Sequence, residues 1–352
     1  MPSPDSRPPH IAPPRPPIAA ARGFARAGSW GEVLNLLAHV TERALEPEQI
    51  TLVAEALLRT ARPREAEAWL RRALPDVERS GDWIARRRTI NLWGAALFEL
   101  GELNSAELAF RRALELGEQE DDPLLIARAM NNLGQIANVR GRPADALVFY
   151  KLSVPAYQRL GHPRGLAETY HNMAISYRDL GELDRADECE QRAIEFARAA
   201  PVARLAALAR IGRADLAFRR GDVALARIAA LRGATECLGL GDPAGTADGL
   251  RIVGLACIAN GEFADAAAAL ERASGFATRQ GSPVLQAETL RARAQLAAAR
   301  GYLDEARRHA QDALALFTKA GATTDHTALT EWYAGLDGRA DDAPSTHQGD
   351  LP

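Results

Sequence analysis

Glycine recurs at every fortieth position from 101 to 301 of this 352-residue chain, and this feature constrains the fold most strongly. An alanine follows each of these glycines by five residues, and a small residue precedes each by seven. Such a period indicates a repeat architecture, in which each unit buries its apolar surface against its neighbours. The glycines are Gly101, Gly141, Gly181, Gly221, Gly261 and Gly301, and the alanines are Ala106, Ala146, Ala186, Ala226, Ala266 and Ala306.

A second set of helix-breaking residues has the same period and lies half a repeat away. Asp or Ser followed by Pro is typical of a helix start. Each unit is therefore predicted to contain two helices, A and B, joined by short turns. In the unit whose first helix ends near Gly221 the apolar pattern arrives early, and we expect two extra residues there. The second set comprises Gly81, Asp121, Gly161, Pro201, Gly241, Gly281 and Gly321, and the starts are Asp122-Pro123, His162-Pro163, Asp242-Pro243 and Ser282-Pro283.

The residues that recur at the same place in each unit, which we call columns, resemble the pattern of the tetratricopeptide repeat family, in a form with a longer unit that spans one full period. The resemblance covers about residues 17–321. It implies an all-α fold, a right-handed α-solenoid of about eight antiparallel helix pairs, with A helices on the concave face and B helices on the convex face. The pattern of the family is carried by Met130, Leu133, Gly134, Gly141, Ala146 and Ser153, and again by Tyr170, Met173, Ala174, Gly181, Ala186 and Ala193.

The repeats set the expected domain boundaries. Residues 1–16 are rich in proline and predict a disordered arm, and residues 338–352 predict a disordered polar tail. Residues 17–337 predict the solenoid, which ends in a capping helix over 323–337. The expected repeats span about 17–45, 46–80, 82–121, 122–161, 162–200, 201–241, 242–281 and 282–321, and Ala61 replaces the turn glycine of the second.

Composition and motifs argue against several classes of function. The formal net charge of −3 disfavours a nucleic-acid-binding surface, and no apolar run is long enough to predict a membrane span. The sequence contains no Walker A, HExxH or GxSxG motif, so we expect no enzyme activity, no metal and no cofactor. Cys189, Cys237 and Cys257 have neither disulfide nor metal-site spacing, which favours a reducing cytoplasm.

Polar residues within the A helices are the candidate binding residues, because a polar side chain buried there without a partner would be costly. In the unit after Pro123, the spacing i, i+3, i+7 and i+10 places four of them on one helix face: Arg128, Asn131, Gln135 and Asn138. We expect them to contact a ligand, and their substitution to change stability little. The candidates are Arg88, Asn91, Arg128, Asn131, Asn132, Gln135, Asn138, Glu168, His171, Asn172 and Arg178, and later units add Asp248, Arg251, Glu288, Arg291 and Gln295.

The resemblance implies a protein or peptide as the partner, bound in the concave groove of a non-enzymatic scaffold or adaptor. The alternative is a regulatory protein that senses a ligand or peptide and acts on a separate effector. The carboxylate clamp of the family is not supported, because Glu168 stands where the clamp needs lysine, although Asn132 and Asn172 match its asparagines. For any single candidate, a solvated groove wall is the other interpretation. The sequence leaves the partner's identity and the oligomeric state open.

Overall fold

Helices joined by short turns make up the described part of the chain. The computed structural model describes residues 18–37, 47–199 and 202–341, which form two compact units, unit 1 up to Thr89 and unit 2 from Ile90. The predicted arm and most of the predicted tail lie outside these ranges. No helix within them is long and apolar enough to cross a membrane. The helices are α1 (Ile18–Arg26), α2 (Trp30–Leu37), α3 (Pro47–Arg59), α4 (Pro63–Ser80), α5 (Trp83–Glu99), α6 (Leu103–Gln119), α7 (Pro123–Val139), α8 (Pro143–Arg159), α9 (Pro163–Asp179), α10 (Leu183–Ala199), α11 (Ala203–Arg219), α12 (Val223–Gly239), α13 (Pro243–Ala259), α14 (Phe263–Gln280), α15 (Pro283–Ala299), α16 (Leu303–Ala320) and α17 (Thr323–Asp341).

Unit 1 contains α1 to α4 and the start of α5. Ile50 and Val77 belong to its core, and the indole N–H of Trp69 donates a hydrogen bond to the carbonyl of Ile50 at 3.2 Å. The turn between α3 and α4 contains Ala61 with a φ of 58°. This left-handed conformation brings Cβ close to the following carbonyl oxygen, so alanine is strained at a position where glycine would not be.

Unit 2 repeats a helix pair with constant spacing. The A helices α7, α9, α11, α13 and α15 begin one full period apart, and each is followed by its B helix. The turn glycines have positive φ, and Asp121 takes the same conformation with φ of 51°. Counted over the described residues, α1 to α16 form eight pairs, and the predicted all-α solenoid is confirmed. Helix α17 follows them and ends at Asp341, beyond the predicted end at residue 337.

Side chains cap several of the A helices at their first turn. The Asp122 carboxylate accepts hydrogen bonds from the backbone N–H groups of Leu124 and Leu125, both at 3.1 Å. His162 replaces the carboxylate in the next repeat, where its Nδ1 accepts from the N–H of Gly165 at 2.9 Å. These contacts satisfy backbone donors that have no partner within the helix, and the following proline has the φ that a helix start requires.

Helix α11 corrects one expectation about register. The apolar pattern before Gly221 predicted two extra residues, but α11 has the same length and phase as α9 and α13, so this prediction was wrong. Ile211 is buried, and Leu208 packs against the same core as Ile211. The apolar residues that arrive early are therefore additional core contacts within an unshifted helix.

Close approach of helices A and B explains the column of small residues seven positions before each turn glycine. A Cβ added to Gly94 would lie 2.5 Å from the Phe110 ring, and one added to Gly254 would lie 2.6 Å from Leu270. A Cβ on Gly134 would overlap the ring of Tyr150 in the same way. A side chain at any of these positions would force the two helices of its pair apart.

The contacts between repeats define an inner and an outer surface of unit 2. Consecutive A helices contact each other from α7 to α15, whereas contacts between consecutive B helices are sparse among the described residues. Because neighbouring repeats contact each other through their A helices and are further apart at their B helices, unit 2 curves with the A helices on the inside. We call the surface formed by the A helices of unit 2 the inner surface, and the surface formed by its B helices the outer surface.

Unit 2 also joins segments that are far apart in sequence. The Thr323 hydroxyl donates to the backbone carbonyl of Arg140 at 2.6 Å, and Gln280 Nε2 donates to Glu99 Oε2 at 3.4 Å. Val139 packs against the core that contains Leu329 of α17. The first turns of unit 2 therefore lie against its last helices, and we call these contacts the closing contacts.

Candidate functional site

The structure places most of the candidate binding residues on the inner surface, in α7 and α9. Among the candidates on α5, α7 and α9, two differ from the rest. Arg88 is exposed and belongs to unit 1, and Asn131 is buried with only 4% of its surface exposed. The candidates that are partly exposed in unit 2 are Asn91, Arg128, Asn132, Gln135, Asn138, Glu168, His171, Asn172 and Arg178.

Two adjacent asparagines of α7 bind neighbouring A helices on opposite sides. Asn132 Nδ2 donates to Asn91 Oδ1 of α5 at 3.0 Å. Asn131 Oδ1 accepts from Thr169 Oγ1 at 3.1 Å and from Asn172 Nδ2 at 3.2 Å, both on α9. These amides join three consecutive A helices, so a structural role accompanies any contact with a ligand.

Asn138 continues the same pattern toward the end of α7. Its Oδ1 accepts from the Ser176 hydroxyl at 2.7 Å, and its Nδ2 donates to Asp179 Oδ2 at 3.2 Å. We call the amide side chains Asn91, Asn131, Asn132, Gln135, Asn138 and Asn172 the amide row. Arg128 also lies on α7, two turns before Gln135, and both are partly exposed.

His171 forms an ion pair with a carboxylate that is buried inside its own repeat. His171 Nδ1 lies 3.0 Å from Oε2 of Glu190 on α10, and Glu190 is only 2% exposed. Burial acts to lower the pKa of His171, but the Glu190 charge and hydrogen bond outweigh it and hold this pKa above its ordinary value. Burial raises the pKa of Glu190, against the opposite effects of His171 and Arg178. The pair fixes α9 to α10.

A buried carboxylate on α11 connects the arginines of the inner surface. Asp215 is 4% exposed, and its Oδ2 lies 3.3 Å from Nη1 of Arg178 and 3.0 Å from Nε of Arg219. Burial acts to raise the pKa of Asp215, but the charges of Arg178, Arg219 and Arg251 outweigh it and lower this pKa. Asp215 therefore stays ionised between the arginines.

Arg251 extends this charged group to α13 and α15. Its side chain is 8% exposed, and its Nε lies 3.1 Å from Asp248 Oδ1 and 3.7 Å from Glu288 Oε2. Burial acts to lower the pKa of Arg251, and the charges of Asp248, Glu288 and Asp215 raise it. Burial raises the pKa of Glu288, which Arg251 opposes. We call Arg178, Asp215, Arg219, Asp248, Arg251 and Glu288 the charge cluster.

Sequence reasoning missed Asp215 and Arg219. Asp215 stands two full periods after Gln135, so it falls in the same column of the repeat. The expected shift of α11 concealed this correspondence. A strict 40-residue period, applied to α11 as to the other A helices, would have identified it.

The remaining groups of the described chain provide little for nucleophilic or metal chemistry. Burial raises the pKa of Cys189 to about 11 and that of Cys237 to about 12, so both are protonated thiols at neutral pH. All three cysteines are buried and free. Across residues 18–37, 47–199 and 202–341, no three His, Cys, Asp or Glu side chains are grouped as metal ligands.

Comparison with known proteins identifies relatives of the repeats. A family model described as Tetratricopeptide repeat matches residues 125–199. The protein FLUORESCENT IN BLUE LIGHT, chloroplastic, of Arabidopsis thaliana is 26% identical over 149 residues, which is 40% of this chain and 46% of that protein. The chain therefore spans less than half the length of this curated relative.

Solved structures resemble the fold over most of the chain. A Rap protein complexed with competence and sporulation factor has a TM-score of 0.62 and 11% identity, and the match covers 92% of this chain and 98% of that one. NprR in complex with its cognate peptide NprX has a TM-score of 0.60 and 14% identity, over 84% and 89%. The APC/C hetero-tetramer Cut9–Hcn1 has a TM-score of 0.60 and 13% identity, over 91% and 55%. At these identities the likeness concerns the fold alone.

Proposed function

We propose that this chain, whose residues 125–199 match the tetratricopeptide repeat family, is a non-enzymatic scaffold or adaptor that binds a protein or peptide on the inner surface of unit 2. The observation that carries the proposal is the position of the amide row beside the charge cluster. Amide side chains both donate and accept, which suits the backbone of an extended peptide, and fixed charges suit its charged groups.

The solved structures support a peptide rather than a small metabolite as the partner. NprR is complexed with its cognate peptide NprX, and the Rap protein is complexed with competence and sporulation factor. The charge cluster also supports a ligand with charges of both signs, because it holds three arginines and three carboxylates in two adjacent groups of ion pairs, one around Asp215 and one around Arg251.

A pair of substitutions on α7 tests the proposal. The partner is first captured from the native lysate with the full chain, and its affinity is then measured by titration calorimetry. Replacing Arg128 and Gln135 together by alanine should weaken binding by about 1–3 kcal/mol, because hydrogen bonds to a desolvated partner are lost. Both side chains are partly exposed, so the melting temperature should change little.

The matched control lies on the outer surface. Arg111→Ala with Arg112→Ala on α6 removes two exposed side chains and should leave the affinity unchanged. An unaltered affinity in the α7 variant, or a loss in the α6 variant, would place the binding site on the other surface and contradict the proposal.

The closing contacts favour the second candidate function, a ligand sensor that acts on a separate effector. A ligand on the inner surface shifts the equilibrium between closed and open forms of unit 2 if its affinity for the two forms differs. Small-angle X-ray scattering with and without the captured partner distinguishes the two functions. A changed radius of gyration is expected for a sensor, and an unchanged one for a scaffold.

The proposed location is the cytoplasm. Three free cysteines support a reducing compartment, since none of them takes part in a disulfide. Cell fractionation with an antibody against the native chain tests this location.

A further inference from the structure

One helix of the outer surface exposes four large apolar side chains, and Arg232 and Thr235 are exposed beside them. On α12, the exposed fractions of Leu225, Ile228, Leu231 and Leu238 are 54%, 69%, 47% and 46%. Their spacing places them on one side of the helix, in a row about 20 Å long at about 1.5 Å per residue. We call these four residues the apolar row.

The other repeats act as an internal control for this feature. They share the fold of the α11–α12 pair, yet their B helices from α6 onward carry polar side chains at the positions of Leu225 and Leu231. The fold therefore does not require apolar residues there, and their exposure to water indicates a binding surface. The residues that correspond to Leu225 are Ser105, Asp145, Arg185, Asp265 and Glu305, and those that correspond to Leu231 are Arg111, Lys151, Gln191, Glu271 and Gln311.

We propose that the apolar row is the interface of a homodimer, in which α12 packs antiparallel against α12 of a second copy of the chain. Leu225 lies six residues before Leu231, and Leu238 lies seven residues after it. Antiparallel pairing centred near Leu231 therefore sets Leu225 of each copy against Leu238 of the other. A two-fold interface requires a surface that is complementary to itself in this way.

The charges beside the apolar row support the same arrangement. Helix α10 has exposed Asp184 near its start and Arg198 near its end, and α14 likewise has Asp265 and Arg279. In the antiparallel dimer, each of these acids faces the arginine of the same helix in the second copy. A parallel dimer would instead bring Asp184 near Asp265, and like charges would repel each other.

The balance of charge favours a second copy over a partner of one charge sign. The exposed face of α10 holds Asp184, Glu188 and Glu195 together with Arg185, Arg192 and Arg198. Asp184 already accepts a hydrogen bond from Arg220 at 2.8 Å, so the second copy's Arg198 would be an additional partner. A centre near Leu231 corresponds to a centre near Gln191 on α10, so the second copy's Glu195 falls opposite Glu188, and Arg192 of each copy is the positive charge close to both.

The expected dimer is of moderate affinity. Stable interfaces bury about 800 Å² on each partner, which is more than a single helical row provides. The flanking helices α10 and α14 must therefore take part, and their ion pairs should make association sensitive to salt.

Sedimentation equilibrium of the full chain, over about 1 to 100 μM, tests the proposal directly. The wild type should reach twice the chain mass of 37.9 kDa as its concentration rises. Ile228→Glu with Leu231→Glu should weaken dimerisation at least tenfold. Leu108→Glu is the matched control, because Leu108 occupies the position of Ile228 on α6 and is 70% exposed. It should leave the dimer intact.

A charge reversal tests the antiparallel geometry. Asp184→Arg should weaken the dimer, and adding Arg198→Asp should restore it, because each new arginine would again face a carboxylate in the second copy. Circular dichroism checks that each variant keeps its helices. A wild type that stays monomeric over the whole range, or a dimer that the α12 substitutions leave unchanged, would overturn the proposal and assign the apolar row to another protein.

Discussion

Residues of complementary size occupy the contact between the two helices of a repeat. Where helix A has glycine, helix B has a large residue, as in Gly134 with Tyr150 and Gly254 with Leu270. Where helix A has Ala214 or Ala294, the residue 16 positions later is also alanine, Ala230 or Ala310, whereas Ala174 is followed at this spacing by the buried Glu190. The contact between helices A and B is therefore filled in most repeats either by a glycine with a large side chain or by two alanines.

This complementarity predicts strong coupling between Gly134 and Tyr150. Gly134→Ala should destabilise the chain by about 1–3 kcal/mol, because the added Cβ overlaps the Tyr150 ring. In a Tyr150→Ala background the same substitution should cost nearly nothing. A double-mutant cycle by urea unfolding should give a coupling energy of about 1–3 kcal/mol. Additive effects of the two substitutions would show that the helices do not meet at this position.

The strained turn of unit 1 predicts a stabilising substitution. Ala61→Gly should raise the free energy of unfolding by about 1 kcal/mol, because glycine adopts the positive φ without a Cβ clash. Urea unfolding of the full chain measures this change. Ala66→Gly, at a buried position inside α4, is the control and should destabilise instead. A loss of stability in Ala61→Gly would contradict the turn conformation.

At the scale of helices, polar side chains of the inner surface hold adjacent elements together. Asn131 accepts two hydrogen bonds from α9, and His171 pairs with the buried Glu190 of α10. The sequence-based expectation that substitutions here change stability little does not take these contacts into account. His171→Ala should cost about 3–5 kcal/mol in urea unfolding, because it leaves a carboxylate buried without its ion-pair partner. A change below about 0.5 kcal/mol, typical of an exposed substitution, would contradict the ion pair.

The same pair predicts a pH dependence of stability. The pKa of His171 is raised in the folded state, so its contribution is complete below the unfolded pKa of about 6.5 and is lost as the pH rises through the folded pKa. The raised pKa of Glu190 likewise makes the folded state less stable as the pH rises. From about pH 6.5 upward, the wild type should therefore lose more stability than Glu190→Gln, as measured by urea unfolding at several pH values. Parallel profiles for the two proteins would exclude this linkage.

The 40-residue period predicts the helices, their turns and the small columns, because these depend on local backbone geometry repeated six times. It also predicts which residues face the inner surface. It does not predict which of two neighbouring amides is buried. Asn131 and Asn132 are the same residue type at adjacent positions, and what separates them is the A helix that each contacts. The partners His171–Glu190 and Arg178–Asp215 likewise depend on distances between helices, which the pattern of one helix does not contain.

At the scale of unit 2, the closing contacts make two chemically similar turns unequal. Gly141 and Gly181 have φ values of 73° and 78°, but a side chain at Gly141 would collide with Thr324, and one at Gly181 would meet open space. Gly141→Leu should therefore release α17 from the Arg140 turn, whereas Gly181→Leu should add only the backbone strain that both variants share. Hydrogen exchange should show lower protection of residues 324–336 in Gly141→Leu alone. Equal protection in the two variants would exclude the closing contacts in solution.

The hydrogen bond between Thr323 and the carbonyl of Arg140 also restricts how this chain can change in length during evolution. An array whose repeats contact only their neighbours accepts the duplication or deletion of a unit anywhere along it. Removing one repeat between α8 and α15 would move Thr323 away from Arg140 by the width of a helix pair and break every closing contact at once. Related chains that keep these contacts should therefore differ in loops and termini, and should all have the same number of repeats between them.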